Sequence, residues 1–62
     1  MNITDNLADI STALKRIDTL QDLMLDSFHQ KNIQSKLKEL LARNTKLKDD
    51  LSHLQQVLIN EL

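Results

Sequence analysis

Apolar residues recur along this chain at alternating spacings of four and three. A period of 3.5 residues admits one kind of structure: helices that bury a narrow stripe against other helices. The first stripe runs Ile3, Leu7, Ile10, Leu14, Ile17, Met24 and Phe28. With Leu7 at heptad position a, Leu7, Leu14, Gln21 and Phe28 hold a, and Ile3, Ile10, Ile17 and Met24 hold d. The second stripe places Leu37, Asn44, Leu51 and Leu58 at a, and Ile33, Leu40, Leu47 and Leu54 at d. With no Gly and no Pro in 62 residues, little interrupts a helix, and the chain reads as all-α.

The two stripes are out of step. Leu37 follows Leu7 by 30 residues, two more than four whole heptads. This divides the chain into a heptad block over 1–28, a phase break over 29–32 (His29-Gln30-Lys31-Asn32) and a second block over 33–62. Neither one insertion of four nor one of three gives that offset. Without a turn-forming residue, one continuous, locally distorted helix is the favoured reading. The alternative is a helical hairpin turning near Asp26–Asn32. Its acidic first arm, net −3 over residues 1–30, would lie against a basic second arm, net +2 over residues 31–62. Asn2 is the expected N-cap, with Asp5 in the first turn.

The blocks ask for different partners. The run from Leu37 through Leu40, Leu41, Asn44, Leu47, Leu51 and Leu54 to Leu58 resembles the leucine zippers of bZIP transcription factors, with Leu at d and one Asn at a. A lone seam Asn is tolerated where it bonds its own copy on a parallel, in-register helix. The expected dimer interface is therefore Ile33, Leu37, Leu40, Asn44, Leu47, Leu51, Leu54 and Leu58. On its flanks, Arg43 at g would meet Lys48 at e of the other strand, a like-charge pair. Leu41, Val57 and Leu62 widen the apolar face, and Ile59 sits at an outer b position. In the first block, Leu at a with Ile at d favours higher-order assembly. Its flanks are short (Thr4, Ser11, Ala13), and Leu20, Leu23 and Leu25 add apolar surface that two strands would leave wet. The expected tetramer interface is Ile3, Leu7, Ile10, Leu14, Ile17, Leu20, Met24 and Phe28. Together these predict parallel dimers joined through their N-terminal halves into a dimer-of-dimers tetramer.

Several functions are expected to be absent. A coiled rod offers no concave pocket in which His29, His53 or the scattered carboxylates could do acid–base work, so no catalytic residue is assigned. Asp26 and His29 have a carboxylate-x-x-His spacing, with Asp22 one turn earlier, but their b and f positions point outward. No metal or cofactor is expected. His53 and Asp49 read as a surface ion pair. No cysteine is present to staple the fold or bind zinc. No apolar run is long enough for a membrane, and the start lacks a signal peptide's pattern. An intracellular location is the default.

Nucleic acid is the partner left to consider. Residues 31–48 carry Lys31, Lys36, Lys38, Arg43, Lys46 and Lys48 against Glu39 alone, net +5. The residues preceding the zipper are acidic, where a bZIP protein has its DNA-reading basic helix, so base readout is excluded. Phosphate contact by those six side chains needs only charge density. The layout, a tetramer-forming block ahead of a dimer-forming one, resembles the N-terminal tetramerisation domain of CtIP-like DNA-end-resection factors, and the likeness spans nearly the whole chain. It implies a nuclear scaffold in double-strand-break repair that bridges DNA and works with a nuclease complex through segments beyond residue 62. Short coils of cytoskeletal, kinetochore and tethering complexes share the layout. Homo-oligomerisation is the function common to all these readings.

Overall fold

The computed structural model describes residues 2–62. It is all-helical among those residues: α1 spans Ile3–Asp26, a single 3-10 turn spans Lys31–Ile33, and α2 spans Gln34–Asn60. The helices fold back on each other, and the molecule measures 47 × 15 × 14 Å. A continuous helix over the same residues would be about 90 Å long at 1.5 Å per residue. The continuous rod is therefore corrected to the hairpin, with its reversal at Ser27–Gln30.

The turn forms without glycine because it needs no left-handed residue. No described residue has positive φ. Asn2 caps α1 as expected, its Oδ1 accepting from the backbone N–H of Asp5 at 2.8 Å. At the other end, Ser27 closes α1 by donating both its backbone N–H and its hydroxyl to the Leu23 carbonyl, at 3.1 and 2.9 Å. The His29 ring nitrogen Nδ1 lies 2.7 Å from the Asp26 carbonyl, and Gln34 donates from its side-chain amide to the Phe28 carbonyl. Side chains thus satisfy carbonyls that the helix end would otherwise strand. Gln30, with φ −81° and ψ 93°, is the extended residue from which the chain starts back.

The inner face of α1 is the one the heptads predict. Ile10 and Ile17 are buried, and Ile3, Leu7, Leu14, Gln21, Met24 and Phe28 are half-buried. The inner face of α2 is rotated from its expected a/d stripe. Positions a and e turn inward: Leu37 and Asn44 are buried, and Leu41, Lys48, Leu51, Gln55 and Leu58 are half-buried. The d residues Ile33, Leu47 and Leu54 lie exposed, and Leu40 is half-covered. Rotation lets α2 make two polar contacts across the hairpin. The Asn44 side-chain amide donates to the Ile17 carbonyl at 3.2 Å, and Lys48 Nζ lies 2.7 Å from Asp18 Oδ1.

Candidate self-association surface

The Asp18–Lys48 pair orients the rest of the surface. Both residues are at e, so the e positions of the two helices meet along one edge of the hairpin. That edge is mixed: Thr4, Ser11, Asp18, Lys48 and Gln55 are polar, while Leu25, Leu41 and Leu62 interrupt them. On the opposite edge, helix geometry brings α1's g positions beside α2's d positions. Ala13 and Leu20 hold the g positions on that side of α1, and Leu40, Leu47 and Leu54 the d positions of α2. Leu20 is 47% exposed, Leu47 50% and Leu54 44%. Val57, one turn past Leu54, continues the strip at 44%. Polar residues break up the apolar ones along the first edge, whereas the second is a continuous leucine row that the described residues leave uncovered.

The expected interface residues divide accordingly. Of the first block, Ile3, Leu7, Ile10, Leu14, Ile17 and Met24 lie on α1's inner stripe, against α2 of the same chain, Phe28 is half-buried in the turn, and Leu20 stays outside. Of the second block, Leu37, Asn44, Leu51 and Leu58 lie on the inner face, whereas Ile33, Leu47 and Leu54 remain available. Asn44 finds its partner within its own chain, in the backbone carbonyl of Ile17. Three inner residues escaped the heptad reading: Leu41, Lys48 and Gln55. A signal for Lys48 existed in the opposite charges of the two arms, and Leu41 already broke the strict stripe.

The basic band is half offset, with three carboxylates held against its six cations. Arg43 Nη2 contacts Glu39 at 2.6 Å and Lys36 contacts the other oxygen of the same carboxylate at 3.5 Å. Lys46 pairs with Asp50 at 3.6 Å, and Lys48 with Asp18. Lys31 and Lys38 complete the six, both exposed. The hydrogen bond that Lys48 donates to Asp18, aided by the carboxylate's charge, raises the ammonium's pKa above the ordinary lysine value. Four of the six band cations already hold a carboxylate, so the net field available to a phosphate backbone is weaker than the count suggests.

Other chemistry finds little support in the geometry. Asp22, Asp26 and His29 are exposed, as is His53. Among the described residues, no group of three or more His, Asp or Glu is placed to hold a metal ion. A shallow hollow of about 450 Å³ is lined by Thr12, Lys15, Arg16, Thr19 and Leu20, all on α1. With one helix as its floor and no opposing wall, it is a dip between long side chains. No described helix is long and apolar enough to cross a membrane. No family model, curated protein or solved structure matches this chain.

Proposed function

We propose that this chain is a helical-hairpin self-association module that brings copies of itself, and whatever they carry, into one assembly. The carrying observation is the uncovered leucine row. A hairpin of this composition had Leu47 and Leu54 to bury, yet it turns Lys48 and Gln55, both half-buried, toward α1 instead. That choice leaves the apolar row outside, where a second surface can take it out of water.

Area supports the same reading. The accessible surface is 4832 Å². A compact monomer of this mass is expected to expose about 4,100 Å². The excess, about 700 Å², is close to one partner's share of a standard protein–protein interface, ~800 Å². The core is correspondingly thin: among the described residues only Ile10, Ile17 and Leu37 of the apolar ones are buried, and no side chain is fully enclosed. Covering a half-exposed leucine would add roughly 1 kcal/mol each.

Light scattering or sedimentation equilibrium tests this directly. At micromolar concentration the chain should run as a dimer or larger, against a monomer mass of 7.2 kDa. Leu47→Asp should return it to one chain while keeping much of its helicity. A monomer persisting at hundreds of micromolar would reject the reading. Phosphate-backbone binding draws no comparable support, because the cations that would carry it are mostly paired.

A further inference from the structure

Leu40, Arg43, Leu47, Asp50 and Leu54 follow one another along α2 at heptad positions d and g. Read backwards, the string sets leucine on leucine and arginine on aspartate. We propose that a second copy of this chain docks on this row antiparallel, about a two-fold axis at Leu47. Leu47 meets its own copy, Leu40 meets the second copy's Leu54, and Arg43 pairs with the second copy's Asp50, twice over. This rests on the self-association reading and specifies its geometry.

Charge complementarity selects the direction. In a parallel, in-register pairing Arg43 would face Arg43 and Asp50 would face Asp50, and like charges across a seam are destabilising. The antiparallel pairing turns both repulsions into attractions. The neighbours are already arranged for it: Arg43 is exposed and held by Glu39 at 2.6 Å, and Asp50 is exposed and held by Lys46 at 3.6 Å. Docking would align them as Glu39–Arg43–Asp50–Lys46, alternating in sign across the seam. Closed two-fold symmetry uses the same patch on both copies, so a self-complementary string is what such an interface requires. Leu20, on the same edge, extends the apolar floor from α1, giving four helices in all.

The chain has no native cysteine, so single-cysteine variants report the register cleanly. Under oxidation, with mass followed by light scattering, Leu47→Cys should cross-link to itself. Leu40→Cys and Leu54→Cys should each stay unlinked alone and link when mixed, since facing Cα atoms must come within roughly 7 Å. Arg43→Asp should weaken self-association about tenfold, and adding Asp50→Arg to the same chain should restore it. If Leu40→Cys links to itself as readily as Leu47→Cys, the pairing is parallel and the inference falls. Self-association without any link at 47 overturns the register yet leaves the self-association reading standing. A monomer at every concentration rejects both.

Discussion

Asn44 shows how one polar side chain fixes a two-helix core. It is the single buried polar residue of the described chain, 7% exposed, and its amide bonds a carbonyl on the other helix. A slip of one turn would separate the amide from the Ile17 carbonyl and leave it buried and unpaired, at a cost of about 1–3 kcal/mol. Asn44 thus sets register in the hairpin, as the leucine-zipper likeness implied for two chains, but the partner is backbone. Replacing it by Leu exchanges a hydrogen bond worth about 1 kcal/mol for roughly 1.5–3 kcal/mol of apolar burial. Asn44→Leu should therefore melt higher by circular dichroism, with less defined register in its NMR spectrum. Asn44→Asp should melt lower, because a carboxylate cannot donate to the Ile17 carbonyl and would be buried against it. Lys48 gives a pH test. Its pKa is raised in the folded state, so its pairing supports the fold below the ordinary lysine value of 10.5 and is lost as pH rises through the higher folded value. Asp18→Asn should melt below wild type at neutral pH, and the gap should close in strongly alkaline buffer.

At the level of elements, the turn decides the architecture. It is held by Ser27, His29 and Gln34 side chains on the carbonyls of Leu23, Asp26 and Phe28. Deleting His29 and Gln30 removes half of it and also returns Leu37 to the phase of Leu7. The two seams then merge into one, and small-angle scattering should find a rod of about 85 Å in place of a 47 Å hairpin. A deletion variant that stays short would refute this account of the phase break. The helices themselves were legible in the sequence, and so were the N-cap and the inner stripe of α1, because period and capping are local properties. The turn was not, since glycine and proline are its usual marks and this reversal needs no positive φ. Nor was the rotation of α2. Heptad spacing ranks Leu47 above Lys48 for burial, and the contacts that reverse that ranking lie 27 and 30 residues away in sequence, at Ile17 and Asp18.

As a whole, the molecule is two helices that are each other's core. Each covers the other's inner stripe, and an isolated amphipathic helix of this length is marginal in water. A fragment starting at Gln30 should lose most of its helical signal at micromolar concentration, whereas a zipper independent of α1 would keep it. If copies associate through the leucine row, the melting temperature of the full chain should rise with concentration, by mass action. The offset between the arms has a further consequence for how such a chain can go wrong. Leu41 follows Leu7 by 34 residues, so straightening the turn into one helix would leave the two inner faces nearly opposite, about 160° apart at 3.6 residues per turn. Two straightened copies could not then exchange arms and close on each other, because a neighbour covering one face would miss the other. Each opened molecule would recruit a different copy for each arm, and such head-to-tail contacts grow without limit into fibres. If copies associate as proposed, the few hydrogen bonds at Ser27–Gln34 would keep that assembly finite.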